Sequence, residues 1–188
     1  YAAVWVVQVG RVPLLLLDTD VPENAESDRP ISHILYVRGR EMRLHQELIL
    51  GVGGVRALRK LGVSPAAWHL NEGHSAFMLV EQAREKVAEG ATLEDAFAQV
   101  REKAVFTIHT PVPAGNEQFD LGLTRKYLEP WARRRDLDVG RVLDLGQPRP
   151  GEHAVPVTGG AGGRIASAGG SLTTRRTAPI APASVASG

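Results

Sequence analysis

The sequence predicts a mixed α/β chain that ends in a long tail without a core of its own. Three observations carry that prediction. Valine- and leucine-rich runs on either side of Gly10 read as two strands. An apolar series spaced by three and four over residues 41–61 reads as an amphipathic helix. Two short apolar runs, ending near His69 and Ile108, flank two helical stretches, the pattern of a parallel pair joined by a crossover. Composition agrees and excludes several classes. Of 188 residues 43% are apolar, and 22 basic against 21 acidic side chains leave a net charge of +1. A nucleic-acid partner is excluded, because polyanions need uncompensated Lys and Arg. The apolar run from Leu48 to Val55 is interrupted by Gly51, Gly53 and Gly54, and it falls well below the roughly 18 residues of a membrane helix. The chain has no cysteine, which removes disulfides, thiolate nucleophiles and zinc fingers and fits a reducing, cytoplasmic compartment.

The elements follow in order. Val4 to Val9, a turn at Gly10, and Val12 to Leu17 make a hairpin over residues 4–17. Asp18 to Pro30 is polar with two prolines and reads as loop. Glu41 to Leu61 is one helix, with Leu44, Leu48, Val52, Val55, Leu58 and Leu61 on its apolar face. Gly51, Gly53 and Gly54 within it predict close backbone contact with a neighbour or the approach of a ligand, since each glycine costs up to ~1 kcal/mol against alanine. Ala66 to His69 is a buried strand. Asn71 caps a helix carrying Phe77, Val80 and Val87, which Gly90 ends. Thr92 and Asp95 resemble a capping box for a helix with Phe97 and Val100, and Val105 to Ile108 is the last strand. Trp68 and Trp131 read as packing residues.

Composition shifts near Gly146. Residues 147–188 lack aromatics and carry one acidic residue, Glu152, against four arginines. Their few aliphatics cannot offset ordering entropy of ~1–2 kcal/mol per residue. We therefore expect one partial domain over 1–146 and a disordered tail over 147–188. The chain opens on Tyr1 directly in a strand-like run, which we read as a piece of something longer.

Chemistry concentrates where the two inner strands stop, because open α/β sheets bind ligands beyond the carboxyl ends of their strands. The first tip reads His69-Leu70-Asn71-Glu72-Gly73-His74, the second Ile108-His109-Thr110-Pro111. Parallel pairing would bring Glu72, His74 and His109 to one crevice. The competing readings are plain: Glu72 as a favourable charge at a helix N-terminus, His74 as a solvated side chain, His109 as a strand end. A metal site of His69, His74 and His109 lacks the four-residue helical spacing of a ligand pair. Asp18-Thr19-Asp20 reads as a turn rather than a metal motif. Gly51-Val52-Gly53-Gly54 has Arg56 where a dinucleotide loop has its third glycine.

"HLNEGHSAF" at 69–77 and "FTIHTPVPAG" at 106–115 resemble the α-glucan phosphorylases, in the form of their short bacterial branch. The likeness extends through "VGRVPLLLLDTDVPEN", "GREMRLHQELILGVGGVRALRKLG" and "RKYLEPWARRRDL" towards Leu145. The resemblance implies a two-lobed GT-B glycosyltransferase, this chain supplying part of the Rossmann-like N-terminal lobe. It implies phosphorolysis of α-1,4-glucans by inorganic phosphate to glucose 1-phosphate. Pyridoxal phosphate would be the cofactor, its lysine belonging to the C-terminal lobe that the chain lacks, so the chain alone should be inactive. A homo-oligomer is compatible with the family. His109 stands as the implied catalytic residue, and Glu72, His74, Arg43 and Asn71 as implied substrate contacts. The sequence departs from the family at Asn116, usually His, and at Val37 and Arg38, which replace small residues. After Gly146 the likeness stops, as a frameshift or chimeric end would make it. Two rival readings use the same residues: a fragment of another GT-B glucan synthase, and a non-catalytic glucan-binding piece.

Overall fold

A computed structural model describes residues 1–35, 39–107, 109, 118–134, 137–144 and 146. The expectations for Val37, Arg38, Ile108, Asn116 and the tail 147–188 fall outside the described residues.

Strands β1 (Ala3–Val9) and β2 (Val12–Asp18) pair antiparallel from Ala3 opposite Asp18 to Val9 opposite Val12. The two-residue turn places Gly10 at φ +59°, where a β-carbon is disfavoured. The following segment turns as expected, with Asp20 N donating to Asp18 Oδ1 at 2.9 Å. Buried Thr19 then anchors it, its Oγ1 donating to Arg29 O at 2.9 Å.

The helix expected over 41–61 is observed as an unbroken helical run over 40–60 that contains a π-helical turn. The run is α1 (Arg40–Leu48), a π-helical turn (Ile49–Gly53) and α2 (Gly54–Lys60). A wider turn there lets Gly51 press against the next helix: a Cβ on Gly51 would lie 2.8 Å from Met78 N and 2.9 Å from Phe77 Cβ. Close contact therefore explains Gly51 alone, since a Cβ on Gly54 would meet nothing within 4 Å. Gly51→Ala is expected to destabilise by ~1–3 kcal/mol through overpacking. Gly54→Ala is expected to stabilise by ~0.5–1 kcal/mol. Thermal unfolding of the two variants should move in opposite directions.

The strand expected at 66–69 lies two residues later, as β3 (Trp68–Asn71). Alternation decides the shift: Trp68 and Leu70 are buried while His69 and Asn71 face out. It pairs in parallel with β4 (Ala104–Thr107), Trp68 opposite Ala104 through Asn71 opposite Thr107. Between them a 3₁₀ turn (Glu72–Ser75) leads into α3 (Phe77–Ala88), followed by α4 (Leu93–Glu102). Seven consecutive residues of α3, Phe77 to Ala83, are buried, making it the central helix. Gly90 at φ +104° follows its end, and Thr92 Oγ1 accepts from Asp95 N at 3.2 Å, as the capping pattern predicts. α5 (Leu121–Arg133) is capped by Asp120, whose Oδ1 accepts from Leu123 N at 3.0 Å, and α6 (Val139–Asp144) closes the described part. The strands form two separate two-stranded sheets among the described residues, so the observed architecture is mixed helix and strand around one core.

That core contains a buried carboxylate. Glu81 of α3 accepts from Arg56 Nε at 2.8 Å, Arg84 Nε at 3.0 Å and Trp131 Nε1 at 3.0 Å, linking α2, α3 and α5. Trp68 and Trp131 are packing residues, as expected. Burial pushes the Glu81 carboxyl up, but the hydrogen bonds from Arg56, Arg84 and Trp131 outweigh it and hold the group below its ordinary 4.5. A carboxylate depressed on folding stabilises the native state above its unfolded pKa and loses that contribution as pH falls through the folded value. The melting temperature should therefore be flat near neutrality and fall below about pH 4.5, with a shallower fall in Glu81→Gln. An equal acid slope in both proteins would contradict this.

Candidate functional site

The parallel register of β3 and β4 brings their two tips side by side. Asn71 ends β3 opposite Thr107, and His109 follows two residues beyond. Asn71 does not cap with its side chain, contrary to expectation. Instead its Oδ1 lies 2.6 Å from His109 Nε2, so the imidazole donates and the amide oxygen accepts. The backbone N–H of His109 donates to Glu72 Oε1 at 3.0 Å. Glu72 is 7% exposed and sits at φ +58°, a left-handed backbone that side chains rarely adopt. Such a conformation costs ~1–3 kcal/mol and persists where the surroundings impose it, commonly at ligand sites. Here it aims a carboxylate from one strand tip at the backbone of the other.

α1 supplies the third wall. Arg43 Nη2 lies 2.6 Å from His74 Nδ1, and Arg43 Nε lies 3.5 Å from Glu47 Oε1. Glu47 is 1% exposed and its Oε1 is 3.9 Å from His74 Nδ1, while His74 Nε2 is 3.9 Å from Glu72 Oε2. The groups therefore run in a chain of side chains from Glu47 through Arg43 and His74 to Glu72, which meets the backbone N–H of His109, whose ring meets Asn71. His74 is 37% exposed, so the group opens to solvent. Its chemistry is that of hydrogen-bonding recognition: a guanidinium, two imidazoles, an amide and carboxylates, donors and acceptors suited to hydroxyls.

Every sequence-derived site residue, Arg43, Asn71, Glu72, His74 and His109, belongs to this network. His69 stands beside it, with Nε2 2.6 Å from Thr107 Oγ1. Among the described residues no group of three His, Cys, Asp or Glu is placed to hold a metal ion, and no helix is long and apolar enough to cross a membrane. Glu47 was missed by sequence reasoning. The available signal was its position four residues after Arg43, the spacing of a helical ion pair.

No family model matches the chain. Over 148 residues it is 44% identical to maltodextrin phosphorylase of Thermococcus litoralis, a stretch covering 77% of this chain and 18% of that protein. It is 45% identical over 133 residues to glycogen phosphorylase of Mycobacterium tuberculosis, covering 68% of this chain and 15% of the relative. With glycogen phosphorylase of Aquifex aeolicus it shares 35% identity over 146 residues, 78% of this chain and 21% of the relative. The chain thus spans between 15% and 21% of the length of these curated relatives. Each match takes in most of this chain, and the chain belongs to the α-glucan phosphorylase family as a segment of a member's length.

Proposed function

We propose that the chain is the glucan-contacting part of the N-terminal GT-B lobe of an α-glucan phosphorylase. Residues 1–146 would be the partial lobe and 147–188 a tail outside the family pattern. Completed by a C-terminal lobe, it would serve phosphorolysis of α-1,4-glucans by inorganic phosphate, in the cytoplasm. The observation that carries this reading is the strand-tip network, in which Arg43, Asn71, Glu72, His74 and His109 converge. Glycosyl transfer passes through an oxocarbenium-like state that nearby carbonyl and carboxylate oxygens stabilise. His109 would contact a sugar hydroxyl beside the reacting carbon. Asn71 orients the His109 ring, and Glu72 holds the backbone behind it. Arg43 and His74 border the cleft as donors.

The hairpin supports a piece that more protein completes, because it is apolar and exposed on both faces: Trp5 and Val6, successive residues of β1 and so on opposite faces, are each 60% exposed. Pyridoxal phosphate, which the family would bring, finds no fit among the described residues. Lys86 pairs with Glu89 and Lys126 with Glu41, both ion pairs on the outer surface.

The test is a titration of the chain with maltoheptaose, read on the ring signals of His74 and His109. Both should shift, and glycogen with phosphate should yield no glucose 1-phosphate from the chain alone. Shifts confined to the hairpin or to α6 would overturn the assignment of the site. Turnover by the isolated chain would overturn its dependence on a second lobe.

A further inference from the structure

We propose that Glu47 and Arg43 act as a positioning pair that locks His74 in its neutral Nε2–H form, so that the ring presents a donor and not a base. The inference deepens the glucan-site reading and rests on it for its functional meaning. A guanidinium can only donate. Arg43 Nη2 at 2.6 Å from His74 Nδ1 therefore requires the lone pair on Nδ1, leaving the proton on Nε2. Nε2 is the nitrogen on the Glu72 side, 3.9 Å from Oε2.

Glu47 makes this arrangement durable. Its carboxylate is 1% exposed and lies one helical turn from Arg43 on α1, 3.5 Å from Nε. The guanidinium is thus held by Glu47 Oε1 at Nε, His74 Nδ1 at Nη2 and Gln46 Oε1, 3.4 Å from Nη1. Among the described residues, charged groups facing the ring are Arg43 and Glu47 from α1 and Glu72 from its own turn. Glu47 and Glu72 favour a proton on the ring, but protonating Nδ1 would set two cationic donors 2.6 Å apart, closer than either carboxylate stands to the ring. The contact with Arg43 is the closest, and it decides for the neutral ring. A neutral Nε2–H offers a fixed donor to a hydroxyl or phosphate oxygen, without giving up or taking a proton.

Long-range ¹H–¹⁵N spectra of the 188-residue chain near pH 7.5 read the tautomer directly, in wild type, Glu47→Gln, Glu47→Asp and Arg43→Met. Wild-type His74 should show the Nε2–H form in at least about tenfold excess, the ratio that one net hydrogen bond supports. Arg43→Met should bring the two tautomers to within about threefold, Glu47→Gln should shift the ratio the same way, and Glu47→Asp should restore part of it. An imidazolium, an Nδ1–H ring or a freely averaging ring in wild type would overturn the proposal. So would a wild-type ratio retained in both Arg43→Met and Glu47→Gln. Should either variant fail to fold, the wild-type spectrum still decides. No glucan is present in these samples. A locked ring in a chain that ignores maltoheptaose would sink the functional reading and leave the positioning pair standing.

Discussion

Replacing Glu81 by alanine is expected to cost ~3–5 kcal/mol of folding stability, the usual penalty for removing one partner of a buried ion pair. The side chain is fully buried and its two oxygens receive Arg56, Arg84 and Trp131. Truncation removes the acceptor and leaves three donors. Arg84, 15% exposed, has little access to water in exchange. Arg56, 56% exposed, can turn outward and regains solvation. The loss should therefore fall mainly on the α3–α5 contact. Since a domain has only ~5–15 kcal/mol in total, Glu81→Ala should unfold at a much lower urea concentration. Glu81→Gln keeps the shape and one acceptor and should lose less. A shift in Glu81→Ala of the size seen for surface pairs, below about 1 kcal/mol, would show that the three donors find other partners.

In a complete phosphorylase carrying this segment, His109→Ala is expected to lower kcat/KM by more than about tenfold, the value of a hydrogen bond of ~1.5–3 kcal/mol to a charged or reacting group. The substitution leaves the backbone N–H that Glu72 Oε1 accepts, so the strand tip should stay in place. It removes the imidazole and frees Asn71 Oδ1. Unchanged kinetics would reduce His109 to a residue that ends a strand. Glu72→Ala is the companion variant: it removes the carboxylate tie between the two tips, leaving the Asn71–His109 bond and both histidines. Its loss should appear in kcat more than in KM if the tie shapes the reacting geometry.

What could be read from the sequence was what local pattern decides. The hairpin follows from two apolar runs and one glycine turn, and the Thr92 cap from a three-residue spacing. The parallel pair followed from two strands separated by two helices, and with it the meeting of Glu72 and His109. What could not be read depended on partners far along the chain. The π turn coincides with the close approach of Gly51 to Phe77 and Met78, a contact that no window over 41–61 contains. Asn71 has the local chemistry of a cap, yet His109, 38 residues on, offers its side chain a better partner. α5 was seen only as part of a motif. Its helix carries Pro130 and buries Thr124 among its contacts, which blurs the apolar period. Glu47 and Glu81 sit in helices where a carboxylate usually faces water. Only the fold shows that Arg43 and His74 enclose one, and that Arg56 and Trp131, 25 and 50 residues away, enclose the other.

The central claim is that this segment supplies a working glucan site once the rest of the enzyme is present. The most direct measurement is glucose 1-phosphate release by a chimera in which the matched stretch of the Thermococcus litoralis maltodextrin phosphorylase, 44% identical, is replaced by the corresponding residues of this chain. Phosphorolysis of maltoheptaose within about tenfold of the parent is the predicted result, since a tenfold change corresponds to only ~1.4 kcal/mol of transition-state binding. A chimera that unfolds in one cooperative transition like its parent yet releases no glucose 1-phosphate would contradict the account.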